Sequence, residues 1–183
     1  MEFIPTKIPD VVLIKPRVFS DPRGYFMESF RKDLFVQQVE QIDFMQDNES
    51  KSSYGVLRGL HYQLPPYAQS KLVRVITGAV LDVAVDIRRN APTFGQYVSV
   101  ELSEENKHQL YIPKGFAHGF VVLSNEAIFT YKVDAPYAPD HEASINYADP
   151  ELNIDWQIPT QDIQTSERDR KVPFMRDAAV FES

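Results

Sequence analysis

Ala79-Val-Leu-Asp-Val-Ala-Val-Asp-Ile87 is the most apolar stretch of the chain, and its reading decides the fold class. A period of two puts Ala79, Leu81, Val83 and Val85 on one face, with Asp82 and Asp86 on the other beside Val80 and Ala84. That pattern predicts a strand whose apolar face lies on the core and whose mixed face turns outward. Its two carboxylates and short length, far below the ~18 apolar residues of a membrane span, remove it as a transmembrane segment. Thr77-Gly78, just before it, reads as a tight hairpin turn in which glycine supplies the positive φ.

Outward from this stretch, β-branched and aromatic runs separated by turn residues predict strands at 11–19, 24–30, 56–63, 71–76, 79–88, 97–102, 108–112, 120–124, 127–133 and 144–147. Helix is sparse. Leu34, Phe35, Val39 and Ile42 give 32–41 the spacing of one short amphipathic helix, and Ser166-Glu-Arg-Asp169 is a pattern that caps a second. No strand–helix alternation supports a doubly wound sheet, so the expectation is an all-β sandwich or barrel. At 183 residues the chain predicts one domain over 1–183, large enough to bury a core without staples, with the tail after about 171 left unassigned.

Composition narrows the chemistry. Cysteine is absent, which removes disulfides, thiolate nucleophiles and Cys-based metal sites. Nineteen basic against 26 acidic residues leave a net charge of −7, the wrong sign for a nucleic-acid partner. The N-terminal ten residues hold two acids, a base and two prolines where a secretory signal has an apolar run, which predicts a cytoplasmic protein with no membrane partner.

Four histidines occur, at 61, 108, 118 and 141. In Val56-Leu-Arg-Gly-Leu-His-Tyr-Gln63, alternation puts His61 with Leu57 and Gly59, and Arg58 with Leu60 and Tyr62 on the opposite face. Pro113-Lys-Gly-Phe-Ala-His118 resembles the second motif of cupins, small double-sheet jelly rolls. The first cupin motif, with its paired metal-binding histidines, reads here His61-Tyr62-Gln63. One imidazole is missing and Tyr62 fills the gap, so the resemblance implies a cupin-like jelly roll without a metal.

A more specific resemblance follows. Asp21-Pro-Arg-Gly-Tyr-Phe-Met-Glu-Ser-Phe30, Gln46-Asp-Asn48, Val56-Leu-Arg-Gly-Leu-His-Tyr-Gln63, Gln69-Ser-Lys-Leu-Val-Arg74, Val83-Ala-Val-Asp-Ile-Arg88, Pro92-Thr-Phe-Gly95 and Ile112-Pro-Lys-Gly-Phe-Ala-His-Gly-Phe120 lie in order along the chain. Together they resemble the dTDP-4-dehydrorhamnose 3,5-epimerases. The resemblance implies His61 as catalytic base, Tyr131 as acid, Asp169 as the carboxylate orienting the base and Lys71 at the developing enolate. It implies substrate contacts from Arg23, Phe26, Glu28, Gln46, Asp47, Asn48, Arg58, Lys71, His118, Glu142 and Arg168, with Tyr137 stacking on thymine. Arg168 stands where the family has Lys. Read alone, Tyr131 is a buried aromatic and Asp169 a helix cap.

The implied substrate is a dTDP-linked 4-keto-6-deoxyhexose, whose C3 and C5 hydrogens are both α to the carbonyl. Inversion there needs a base on one face, an acid on the other and positive charge at the oxygen. A proton-transfer reaction of this kind implies no cofactor, and the family implies a homodimer. The alternatives left open are an enzyme inverting C5 alone or a ketoisomerase, a metal-dependent cupin oxygenase, and a sugar-nucleotide sensor without catalysis.

Overall fold

A computed structural model describes residues 1–182. The strands are β1 (Glu2–Pro5), β2 (Val12–Lys15), β3 (Val18–Asp21), β4 (Gly24–Met27), β5 (Gln46–Ser53), β6 (Leu57–Gln63), β7 (Lys71–Thr77), β8 (Ala79–Asp86), β9 (Tyr97–Ser103), β10 (Gln109–Ile112), β11 (Phe116–Val122), β12 (Glu126–Val133) and β13 (Glu142–Ser144). The helices α1 (Lys32–Gln38) and α2 (Glu167–Arg170) are short. One sheet runs β1-β2-β10-β7-β12-β5 and a second β13-β6-β11-β8-β9, while β3 and β4 pair only with each other. This is the expected all-β, cupin-like double-sheet jelly roll.

The core between the sheets is filled by Val73, Val75, Leu110, Ala127 and Phe129 from the six-stranded sheet, facing Val80, Ala84, Val98, Phe116 and Phe120 from the other. The outer face of the six-stranded sheet is capped by α1, whose Phe35 packs with Phe30, Phe44 and Tyr111. The outer face of the five-stranded sheet carries Leu57, Leu60, Leu81, Val83 and Val85 beneath Trp156, Met175 and Phe181. Thus the C-terminal stretch with no periodicity of its own is the lid of a second apolar layer. Its backbone is tied in by Phe181 N–H to the Ile87 carbonyl at 3.0 Å and Arg89 N–H to the Phe181 carbonyl at 2.8 Å.

Several local expectations change. In β8 the mixed face is turned inward, not outward: Val80 and Ala84 enter the inter-sheet core, and Asp82 and Asp86 are fully buried. The apolar face is covered by the tail, so this central strand is sandwiched on both sides. The stretch 11–19 breaks at Pro16, which cannot donate to a ladder, into β2 and β3. The strand expected at 144–147 lies at β13, and β11 begins at Phe116, before the expected 120. Strands β1 and β5 had no apolar alternation to announce them. Gly78 does turn the β7–β8 hairpin, with φ of 78° and room for no Cβ, which would lie 2.0 Å from the Glu126 carbonyl oxygen.

Candidate active site

The site starts from a break in strand phase. Along β6 and β11, Leu57 pairs with Val121, Arg58 with Phe120 and His61 with His118, so that Gly59 and Leu60 together oppose Gly119. This is a β-bulge. The extra residue turns Arg58 to the inner face along with His61, whereas strict alternation had separated them. Glycine makes the bulge possible on both strands. Gly59 has φ of 142°, and a Cβ on it would sit 2.5 Å from the Gly119 Cα; one on Gly119 would sit 2.8 Å from the Arg58 carbonyl oxygen. Tyr62, at the place of the missing imidazole, points to the opposite side of the sheet, where its hydroxyl donates to the Ala179 carbonyl and burial pushes its pKa up to about 12.

His61 Nε2 lies 2.8 Å from Asp169 Oδ1. Asp169 is delivered by α2, where the Ser166 hydroxyl accepts its backbone N–H at 3.0 Å. The Ser-x-x-Asp pattern is therefore a cap and a site at once: its serine caps, and its aspartate side chain is directed to the imidazole. Burial works against the charge on Asp169, but His61, the Ser166 hydroxyl and the Gly59 backbone outweigh it and hold the carboxyl below its ordinary range. With Nε2 donating to this carboxylate, the lone pair of His61 stands on Nδ1.

Behind His61, His118 Nε2 meets Asp82 Oδ2 at 2.9 Å, and the other Asp82 oxygen is buried without a partner. Burial lowers the pKa of His118 despite Asp82. From the facing sheet come Lys71 and Tyr131. The Lys71 ammonium donates to the His61 carbonyl at 3.4 Å, and burial draws its pKa down to about 8 against the pull of Asp82 and Glu142. Tyr131 shares the inner face of β12 with Phe129, and burial raises its pKa, with Arg58 opposing and Glu142 adding. It therefore holds its proton at neutral pH. His61 and Tyr131 belong to different sheets, and Lys71 links them: its ammonium lies 3.4 Å from the His61 carbonyl and 5.9 Å from the centre of the Tyr131 ring.

The rim is polar. Arg168 pairs with Glu142 at 2.8 Å, the Tyr137 hydroxyl donates to Glu142 at 2.7 Å, and Arg58 Nε donates to Ser52 Oγ at 3.1 Å. Gln46 and Asn48, half-buried on the inner face of β5, are joined at 2.8 Å. Arg58, His61, Ser166, Arg168 and Asp169 line a cleft of about 410 Å³. Among the described residues no three His, Asp or Glu side chains are gathered as a metal set.

Four sequence-derived positions lie elsewhere. Asp47 alternates to the outer face, where Lys132 donates to it at 2.8 Å. Arg23, Phe26 and Glu28 belong to the β3–β4 hairpin and its exit, rooted on the outer side of the six-stranded sheet by Gln109 Nε2 to the Ser29 carbonyl at 2.6 Å and by Lys107 over the Tyr25 ring. The Arg23 side chain is 90% exposed and bonded to Asp21, and Phe26 is 66% exposed. Conversely, Asp82 enters the site unforeseen, although a carboxylate in the most apolar strand was the available signal.

The family model described as dTDP-4-dehydrorhamnose 3,5-epimerase matches residues 5–177. The chain belongs to this epimerase family. The dTDP-4-dehydrorhamnose 3,5-epimerase of Shigella flexneri is 55% identical over 170 residues, 92% of this chain and 93% of that protein. A crystal structure of the Legionella pneumophila epimerase in complex with dTDP-4-keto-L-rhamnose superposes with a TM-score of 0.95 at 46% identity, covering 100% of this chain and 98% of that one. A 3'-monoepimerase from Streptomyces bikiniensis, in complex with dTDP-quinovose, shares the fold at a TM-score of 0.86 and 35% identity, over 94% of this chain and 87% of that one.

Proposed function

We propose that this protein inverts C3 and C5 of dTDP-4-dehydro-6-deoxy-D-glucose to give dTDP-4-dehydro-L-rhamnose, an isomerase reaction that moves only protons. The observation that supports this reading is the Asp169-backed His61 and the protonated Tyr131 on different sheets, with the Lys71 ammonium close to both. His61 Nδ1 takes the hydrogen α to the C4 carbonyl, and the C–H electron pair moves onto the carbonyl oxygen as an enolate. Asp169 stabilises the imidazolium that forms. Lys71 places positive charge at the enolate oxygen, beside His118. Tyr131 then gives its phenolic proton to the opposite face of the carbon, which completes one inversion. Return of a proton to Tyr131 and loss of one from His61 to solvent reset the pair for the second carbon.

Arg58 and Arg168 supply the local positive charge for the diphosphate, which a net charge of −7 does not forbid within a Debye length of ~8 Å. The Tyr137 ring, 57% exposed at the rim, stacks on thymine, with Glu142, Gln46 and Asn48 completing the polar contacts. Arg23, Phe26 and Glu28 sit on the outer side of the six-stranded sheet, away from His61, beside exposed Phe19 and Tyr25. This supports a homodimer in which the hairpin of one chain completes the site of the other. The reading takes 1–183 as a single epimerase domain. A charged diphosphate does not cross a bilayer unaided, which places the enzyme in the compartment that makes its substrate, proposed to be the cytoplasm.

NMR of the dTDP-4-keto-6-deoxyglucose reaction in deuterated water tests the function. Deuterium and inverted configuration are expected at both C3 and C5. Exchange confined to one carbon would assign the protein to the monoepimerase chemistry named for the Streptomyces bikiniensis relative.

A further inference from the structure

Gln63 lies two residues beyond His61 on β6, 4% exposed, and all three of its amide bonds go to backbone of the loops at the rim. Its Nε2 donates to the Tyr67 carbonyl at 2.7 Å and to the Pro136 carbonyl at 3.1 Å, while its Oε1 accepts the Ala138 N–H at 2.7 Å. Pro136 and Ala138 are the two neighbours of Tyr137. One side chain therefore grips the backbone on both sides of the residue whose ring stands exposed at the entrance. Other ties join the same two loops: Ser70 N–H to Asp134 at 2.7 Å, Gln69 Nε2 to the Ala135 carbonyl at 2.8 Å, Leu64 N–H to the His141 carbonyl at 2.9 Å and the Tyr67 ring against His141. Among these ties of the described residues, Gln63 alone brackets Tyr137 itself.

We infer that Gln63 is the positioning residue for thymine recognition, holding the 135–138 backbone so that the Tyr137 ring is set for stacking before the nucleotide arrives. The inference rests on the proposed stacking of Tyr137 on the base. Its physical content is preorganisation: a loop fixed in its binding geometry loses little freedom on association. A glutamine suits the task because its amide offers two donors and an acceptor in one plane, matching two carbonyls and one N–H. It does so from the β6 strand that also carries His61, so the ring and the catalytic imidazole share one rigid frame.

The test is a double-mutant cycle on nucleotide affinity, with Gln63→Met, Tyr137→Ala and the pair, read by calorimetry with dTDP and with inorganic pyrophosphate as ligands. Methionine keeps the length of the side chain and loses all three bonds. Gln63→Met is expected to raise the Kd for dTDP about tenfold and the KM for the sugar nucleotide similarly, with kcat at saturation and pyrophosphate affinity changed less than about twofold. In the Tyr137→Ala background the same change should cost less than about twofold, because the ring it positions is gone. Equal losses for dTDP and pyrophosphate, or additive losses in the pair, would overturn the inference. If Tyr137→Ala weakens dTDP but Gln63→Met does not, only the role of Gln63 falls; if Tyr137→Ala leaves dTDP binding intact, the stacking reading falls with it. Should Gln63→Met not fold, Gln63→Glu carries the same comparison, since it retains the acceptor for Ala138 and loses both donations.

Discussion

At the scale of single residues, the site works by keeping protons where solvent would not leave them. Tyr131 is half-buried and burial raises its pKa, so it keeps its proton throughout the neutral range, as the proposed acid must. Tyr131→Phe keeps the ring packed beside Phe129 and removes the only proton it gives. His61 still forms the enolate and returns solvent deuterium to the face it came from. Exchange with retention should therefore survive while inversion falls by ~10²–10⁴-fold, as read by NMR in deuterated water; loss of both together would show that Tyr131 helps to form the enolate. Lys71 has the opposite sensitivity, with burial drawing its pKa from 10.5 to about 8. With its ammonium proposed to face the enolate, kcat/KM should decline as pH rises through about 8. The stability contribution has the other sign, since a lysine depressed on folding binds fewer protons in the native state between about 8 and 10.5, and stability from this group rises over that window. Lys71→Arg, with a guanidinium protonated beyond pH ~12, should remove the alkaline decline from the profile. A decline at unchanged pH in that variant would assign it to another group.

At the scale of elements, what was legible and what was not follows one rule: period two speaks only where an apolar face meets a core and the ladder stays in register. β8 was legible because Leu81, Val83 and Val85 lie under the tail. β5, Gln46-Asp-Asn-Glu-Ser-Lys-Ser-Ser53, was silent because its inner face, Gln46, Asn48 and Ser52, lines the site and not the core, while its outer face carries Asp47, Glu49 and Lys51. Strict alternation puts Arg58 on the wrong side because no periodicity announces a bulge. Yet the bulge is what brings Arg58 and His61 together, and its two glycines are the only local trace of it. Gly119→Ala would force a methyl to 2.8 Å from the Arg58 carbonyl oxygen and 3.1 Å from the Gly59 Cα, both backbone. Overpacking of this kind costs about 1–3 kcal/mol, or roughly 2–12 °C in Tm for a chain of this size. Activity should fall further than stability, by about a hundredfold well below the new Tm, because a displacement near 1 Å separates His61 from its target. A variant that melts lower but turns over at the original rate would mean the bulge serves packing alone.

At the scale of the whole molecule, the two sheets are covered on their outer faces by different devices, one of which leaves aromatic side chains exposed. The five-stranded sheet is sealed by Trp156, Met175, Ala178 and Phe181 of the C-terminal stretch. The six-stranded sheet is covered over α1 but leaves the β3–β4 hairpin standing clear, with Phe19 50%, Tyr25 55% and Phe26 66% exposed. Three aromatic side chains on one self-paired hairpin form an unusually exposed apolar surface for a chain that acts alone, and they carry with them the Arg23 that the sequence associates with the substrate. If the hairpin completes the site of a second copy, the defects in His61 and Arg23 fall in the same site when they are carried by different chains of a dimer, and the other site is left whole. Mixing His61→Asn with Arg23→Ala chains, after unfolding and refolding together, should then restore about one quarter of the wild-type activity, because half of the random dimers are mixed and each has one site with both an intact imidazole and an intact hairpin. The same two variants refolded separately and then combined should stay as inactive as either alone until subunits exchange. Absence of any recovery after co-refolding, with dimers verified by light scattering, would place the Arg23 contribution within its own chain.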